Sequence, residues 1–249
     1  MYIFNILASN PFFEAYSDSD FLGKLIFIGL YALSICTWVI LIQKIWLTYQ
    51  AKKNAFRFYE AFQLHKSSPL SLDFENINQK NSINPFLDLY KTLKKQSLDL
   101  LTKNRHFNSS KVQEGEKTPV YLSLSDIDFV SSHLATQMTG QVKNLEKNLY
   151  ILSTIVSLAP FLGLLGTVWG ILTTFAALQA QHTGGTHDMV LSGLSLALAT
   201  TVLGLIDAIP ALVGYNYLKN SIRDFGSDME GFSNDILAAV EIQYRKVDS

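Results

Sequence analysis

An aspartate within an uncharged stretch is the residue of this sequence with the clearest capacity for chemistry. Asp207 lies in the apolar block 189–218, which also carries Thr200 and Thr201. An aspartate near the bilayer centre costs about 2.5 to 3.5 kcal/mol on insertion scales, so such residues usually face a cavity or a partner. In a helix Asp207 lies within about 20° of Thr200 and some 120° from Thr201. The pattern indicates either a polar pathway for an ion or a neutral aspartate with a structural hydrogen bond.

The preceding apolar block carries a stripe of small residues. Gly163, Gly166 and Gly170 follow i, i+3 and i+7 spacing, which lets a neighbouring membrane helix approach closely. Thr167 lies mid-span beside that stripe. Because a membrane threonine most often bonds back to its own helix carbonyl, a pore role for Thr167 needs support from elsewhere. Helix packing is the ordinary interpretation of such a stripe.

Two prolines interrupt the hydrogen bonding of these blocks. Pro160 and Pro210 each leave a carbonyl four residues back, on Val156 and Ile206, without its helix donor. Freed carbonyls serve water or a hydroxyl in a wet interior, and a simple kink is an equally good interpretation.

Other sites for chemistry are weak. The segment HTGGTHD offers His182, His187 and Asp188, but their spacing matches no established metal site. No glycine-rich phosphate loop, nucleophile elbow or HExxH motif occurs. We therefore expect no metal, no cofactor, no nucleic-acid partner and no enzyme activity.

The elements that hold these residues are apolar helices. Charged residues make up 16% of the chain, against about 25% in an ordinary globular domain. Lysines and arginines follow the first block, precede the second and follow the third, which places the amino terminus outside and the carboxyl terminus in the cytoplasm. The prediction is an all-α membrane protein with three transmembrane helices and long cytoplasmic helical extensions. Its segments are an outer N-terminal segment (1–20), a first transmembrane helix (21–46), a cytoplasmic helical region (47–147), a second transmembrane helix (148–181), an outer loop (182–188), a third transmembrane helix (189–218) and a cytoplasmic C-terminal helix (219–249).

Local signals predict helices in the polar regions. Helices are expected over residues 51–64, 86–101 and 228–244. Ser125 with Asp128 three residues on resembles a capping box and predicts the start of a further helix. With Pro160 as its one strong breaker, that helix is expected to run from there to Gln181.

Two motifs carry a resemblance to a known family. PFLGLLGTVWGI in the second span and ATTVLGLIDAIPALVGYNYL in the third resemble the paired signature of the TolQ/ExbB/MotA proton-channel family. Three spans with a long first cytoplasmic loop resemble the TolQ and ExbB branches, TolQ most and ExbB next. A four-span flagellar stator of the MotA type fits less well.

The resemblance implies a subunit of a motor driven by the proton motive force, in the bacterial inner membrane with a periplasmic amino terminus. It implies a homo-oligomer, usually a pentamer, whose second and third helices line a pore among membrane lipid. A TolR/ExbD-like single-span partner sits in that pore, and a TolA/TonB-like protein spans the periplasm. Thr167 and Thr201 match the pore threonines, and Thr200 and Asp207 are predicted to join the proton pathway. The alternative is a non-conducting scaffold whose polar residues only hold helices together.

One departure from the family pattern concerns the third span. The family's EALxAT reads LALATT here, so Leu196 stands at the usual glutamate, while Asp207 stands at a usual alanine. The two lie three helical turns apart, on one stripe. The hypothesis is that Asp207 takes over part of the glutamate's electrostatic role about 16 Å deeper.

Overall fold

A computed structural model describes residues 11–66, 68–72, 83–109, 121–180 and 186–245. Three helices in the described part of the chain are long and apolar enough to cross a membrane, which confirms the all-α, multi-pass prediction. The described helices are α1 (Pro11–Ser17), α2 (Phe21–Gln63), α3 (Pro85–Ser109), α4 (Leu124–Glu146), α5 (Leu149–Ala180) and α6 (Thr186–Tyr244).

One compact unit contains the apolar parts of α2, α5 and α6 together with α1. It takes the described residues up to Gln43 and those from Asn148 to Tyr217. One buried cluster of this unit takes two residues from each of the three helices: Ile26, Leu30, Ile155, Ala159, Ala208 and Ala211. Large apolar side chains cover the outside, as expected of helices that meet lipid or other membrane helices.

The other compact unit runs from Lys44 to Lys147 and resumes at Leu218. Aromatic rings of α2, α3 and α6 pack in its core, with Phe86 stacked on Phe232 at 4.3 Å between ring centroids. The Tyr90 hydroxyl donates to the Pro69 carbonyl at 2.5 Å. Burial raises the pKa of Tyr90 to about 12, so its hydroxyl keeps its proton at any physiological pH.

The predicted single helix through the second span is wrong, because it is interrupted at Lys147 and Asn148. Asn148 has a φ of 70°, the left-handed conformation that asparagine tolerates better than most residues. Lys147 is extended in ψ, at 132°, which ends α4 before α5 begins. No proline or glycine marks this break in the sequence.

The predicted start of α4 is also displaced. The N-cap is Ser123, whose hydroxyl accepts a hydrogen bond from the Asp126 N–H while the Asp126 carboxylate accepts from the Ser123 N–H. The observed pair lies two residues upstream of the predicted pair, Ser125 and Asp128, and has the same spacing. Ser123 takes the cap because its backbone is extended, with φ −78° and ψ 165°.

Elsewhere helices are longer than predicted. The helix expected over 86–101 is α3, which begins at Pro85 and continues to Ser109. The helices expected over 51–64 and 228–244 are continuous with the first and third spans, as parts of α2 and α6.

Candidate functional site

The glycine stripe of α5 lies directly against α6. A Cβ built on Gly163 would be 2.9 Å from the Thr200 carbonyl oxygen, and one built on Gly170 would be 2.7 Å from the Gly193 carbonyl oxygen. A Cβ on Gly166 would be 2.3 Å from the Thr200 hydroxyl oxygen. Gly163 and Gly170 therefore let the two helices approach to backbone contact, in the manner of small-residue membrane interfaces, and Gly166 leaves room for the Thr200 side chain.

Glycines of α6 complete this contact, and sequence reasoning missed them. A Cβ on Gly204 would be 2.6 Å from the Ala159 carbonyl oxygen, and one on Gly193 would meet the Thr174 hydroxyl. Gly193, Ala197 and Gly204 recur at i, i+4 and i+11, a small-residue stripe that could have revealed them. We call the two stripes together the α5–α6 seam.

The polar side chains at the seam differ in exposure. Thr200 is fully buried, and its hydroxyl has the Leu196 and Ala197 carbonyls at 3.0 Å and the Gly163 carbonyl of α5 at 3.4 Å as acceptors. Thr201 is half-buried and has the Gly163 carbonyl within 3.2 Å, so its hydroxyl crosses from α6 to α5. Thr200 thus packs inside the chain, whereas Thr201 keeps an open side.

Thr167 lies one turn along α5 from Gly163 and is also half-buried. Its hydroxyl donates to the Leu164 carbonyl at 2.6 Å, the local bond expected of a membrane threonine. An oxygen that donates its hydrogen in this way still has lone pairs that accept from water or another hydroxyl. Thr167 and Thr201 are therefore polar groups on adjoining turns of the helix pair, each with an exposed side.

The large side chains next to these threonines are apolar and exposed. Leu164, Val168, Val202 and Leu205 each leave between 45% and 58% of their surface exposed. This flank of the seam is thus available to lipid or to another membrane helix.

Asp207 is buried inside the unit, away from the exposed flank that carries Thr167 and Thr201. It is 5% exposed, and the Ser34 side chain of α2 lies beside its carboxyl. Thr200 and Asp207 are both buried, as expected of two residues on the same face of α6. Thr167 and Thr201 lie at an exposed flank of the helix pair. Thr200 and Asp207 are buried inside the unit, so the four predicted pathway residues do not all lie on one exposed surface.

Leu196 occupies an apolar cluster. It is 4% exposed and packs with Ala15 of α1, Phe27 of α2 and Ala199. The position at which the resemblance implies a carboxylate thus lies in an apolar cluster in this chain.

A polar link that the sequence did not reveal ties the start of α2 to α5. The Asp20 carboxylate accepts from the Gly23 N–H at 2.9 Å and from the Trp169 indole N–H at 2.8 Å. The same side chain thus caps α2 and fixes the tryptophan of the GTVWG motif. An acid before an apolar run is the only sequence signal for it.

The prolines and the candidate metal ligands are the remaining positions singled out from the sequence. Pro160 and Pro210 lie inside α5 and α6, which continue through them. His182 and the side chains of His187 and Asp188 lie outside the described residues. Among the residues that are described, no group of three or more potential metal ligands occurs.

Comparisons with known proteins agree on one family. A profile of the MotA/TolQ/ExbB proton channel family matches residues 102–231. The chain is 32% identical over 225 residues to the biopolymer transport protein ExbB of Pseudomonas putida, covering 90% of this chain and 62% of that protein. It is 26% identical over 214 residues to the Tol-Pal system protein TolQ of Pseudomonas aeruginosa, covering 85% and 84%. A match to the TolQ of Haemophilus influenzae has 39% identity over 100 residues, 39% of this chain and 43% of that protein. The chain thus spans less than two thirds of the first and third of these relatives.

Proposed function

Because the chain belongs to the MotA/TolQ/ExbB proton channel family, we propose that it is a subunit of an inner-membrane motor driven by the proton motive force. In this proposal several copies assemble around a TolR/ExbD-like single-span protein, with the amino terminus in the periplasm. Proton flow past α5 and α6 energises a TolA/TonB-like protein that spans the periplasm. Relatives named ExbB and TolQ support this branch of the family.

The observation that carries the proposal is the pair of half-buried hydroxyls at the α5–α6 seam. The Thr201 hydroxyl lies 3.2 Å from the Gly163 carbonyl, one turn from Thr167. Both residues adjoin the exposed apolar flank of the seam, where a second copy of the chain or a partner helix can pack. Threonine hydroxyls both donate and accept, so they can hold water beside a proton-carrying group of the partner. Each charge that crosses 100 mV releases about 2.3 kcal/mol, which is sufficient to drive a conformational cycle.

We assign the intramembrane carboxyl of this chain to Asp207. Its place beside Ser34 inside the three-helix unit gives it a hydroxyl partner, while Leu196 is enclosed by apolar side chains. A carboxyl in this position acts on the pathway from inside the subunit rather than from its exposed flank.

Proton flux through the assembled complex tests these roles. The protein is purified with the single-span protein that accompanies it, reconstituted into liposomes, and subjected to a pH gradient while an internal dye reports proton entry. Thr167→Val combined with Thr201→Val keeps the shape but removes both hydroxyls, and we expect flux to fall at least tenfold. Thr154→Val is the matched control, since Thr154 is an exposed α5 threonine whose hydroxyl bonds to Tyr150 within the helix.

The outcomes separate a motor from a scaffold. A double variant that assembles and conducts like the Thr154→Val control would identify the threonines as packing groups and favour the scaffold. Asp207→Asn keeps a hydrogen-bonding side chain beside Ser34 but removes the exchangeable proton, and we expect it to lower flux as well. Unchanged flux in an assembled Asp207→Asn complex would make Asp207 a structural residue.

A further inference from the structure

A groove lies on the outer face of α2, where α1 folds beside it. Its volume is about 540 Å³, within the range of small-molecule sites in proteins. Seven residues line it, and all but the tyrosine hydroxyls are apolar: Phe12, Phe13 and Tyr16 of α1, and Ile28, Tyr31, Ala32 and Ile35 of α2. This apolar lining suits a hydrocarbon chain.

One end of the groove carries a positive charge. Lys24 is four residues before Ile28 and lies on the same helical stripe as the α2 part of the lining. Its ammonium nitrogen is 6.0 Å from the centre of the Tyr16 ring, which itself lines the groove. The charge therefore lies at the end of the slot nearest the start of the first span.

The dimensions fit one leaflet of a bilayer. From Lys24 to Ile35 the helix rises about 16 Å, close to half of a hydrocarbon core roughly 30 Å thick. Lysines at the head of a span hold their ammonium at the level of the lipid headgroups. A charge at headgroup depth above a hydrocarbon slot one leaflet long matches the shape of a phospholipid.

We propose that this groove is a binding site for a single membrane phospholipid, with an acyl chain along α2 between α1 and the first span and its phosphate at Lys24. The bound lipid fills the space beneath α1 and thereby secures α1 against α2. Since Ala15 of α1 packs with Phe27 and Leu196, a lipid that holds α1 also supports the cover over Leu196. This site is independent of proton flow and would exist in a scaffold as well.

Native mass spectrometry of the full-length assembly tests the site. The protein is extracted from nanodiscs of phosphatidylethanolamine and the phospholipids retained per chain are counted. We expect one retained lipid per chain in the unmodified protein. Ala32→Trp fills the groove and should abolish that retention, and Lys24→Gln should weaken it about fivefold by removing one cationic contact. Ile42→Trp is the matched control, because Ile42 is 65% exposed on α2 beyond the groove.

The proposal is overturned if Ala32→Trp retains lipid as the unmodified protein does, or if Ile42→Trp loses it equally. A change in subunit number in Ala32→Trp without loss of lipid would also overturn it, since the groove would then hold a second copy. Should Ala32→Trp fail to fold, Lys24→Gln and Phe13→Ala carry the test, because each removes a contact from an exposed side of the site.

Discussion

Adding a single methyl group at Gly166 should push α5 and α6 apart. A Cβ at this position would be 2.3 Å from the Thr200 hydroxyl oxygen and 2.6 Å from the Thr200 Cβ, where ordinary contacts begin at 3.4 Å. Rotating the threonine side chain relieves the first contact but not the second, because the Cβ is fixed to the α6 backbone. Gly166→Ala therefore forces the helices to separate, and overpacking of this kind costs about 1 to 3 kcal/mol.

The neighbouring positions give this prediction its internal comparisons. Gly163→Ala meets the Thr200 carbonyl at 2.9 Å and the Thr201 Cα at 3.1 Å, both backbone atoms, so no side-chain change relieves it. Gly29→Ala is the control. Gly29 also lies in an apolar helix, α2, but a Cβ built there has no atom within 4 Å. In a Thr200→Ala background the Gly166 contact falls from three atoms to one, while the Gly163 contacts are unchanged.

Thermal unfolding of the purified protein in nanodiscs measures these effects. For a chain of this size 1 kcal/mol lowers Tm by about 2 to 4 °C, so Gly166→Ala should lose roughly 2 to 12 °C. Thr200→Ala should recover part of that loss for Gly166→Ala and none of it for Gly163→Ala, a coupling that a double-mutant cycle isolates. Equal Tm values for Gly166→Ala and Gly29→Ala would refute the close approach of Gly166 to the Thr200 side chain.

Two further changes test the cover over the third span and the cap of α4. Leu196→Glu should lower Tm strongly, because the carboxylate would be buried among apolar side chains at a cost of about 2.5 to 3.5 kcal/mol. Leu196→Gln is the control, because it has nearly the same shape without the charge. Equal losses of Tm in the two variants would show that the shape of the side chain alone matters. Asp126→Ala should cost about 1 kcal/mol at neutral pH through loss of the capping box, with Ser125→Ala as the control. Burial alone would raise the pKa of Asp126, but hydrogen bonds from the Ser123 backbone, Asn104 and the Ser123 hydroxyl lower it. Its contribution is therefore full above the unfolded value of about 3.9 and lost as the pH falls through the lower folded value, so the Tm difference should vanish in acid.

Periodic and compositional features were readable from the sequence. Uncharged length identified three spans, and glycine spacing on α5 identified the face that meets another helix, since both depend on the residues of one element alone. The common burial of Thr200 and Asp207 followed from their seven-residue separation on one helix. These are properties of a helix whatever it packs against.

Features that depend on how two helices meet could not be predicted from the sequence. The break at Asn148 needs no glycine or proline, because asparagine adopts the left-handed conformation when the flanking helices require it. The bond from Trp169 to Asp20 joins residues 149 positions apart. The difference between Thr200 and Thr201 in exposure depends on where α5 lies, and a helix pattern alone could not assign one to packing and the other to the open flank.

Leu196 and Asp207, the two positions at which the sequence is expected to depart from the family pattern, differ in their surroundings. A carboxylate at position 196 would lie against Phe27 and beneath α1, in a cluster with Ala15 and Ala199. A carboxylate at position 207 instead lies beside the Ser34 hydroxyl of α2. The leucine lets α1 pack over α6, and the aspartate keeps an acidic group in the membrane where a hydrogen-bond donor is present. Leu196 and Asp207 are therefore consistent with one arrangement of α1, α2 and α6, and Leu196→Glu combined with Asp207→Ala should lower the Tm of this chain.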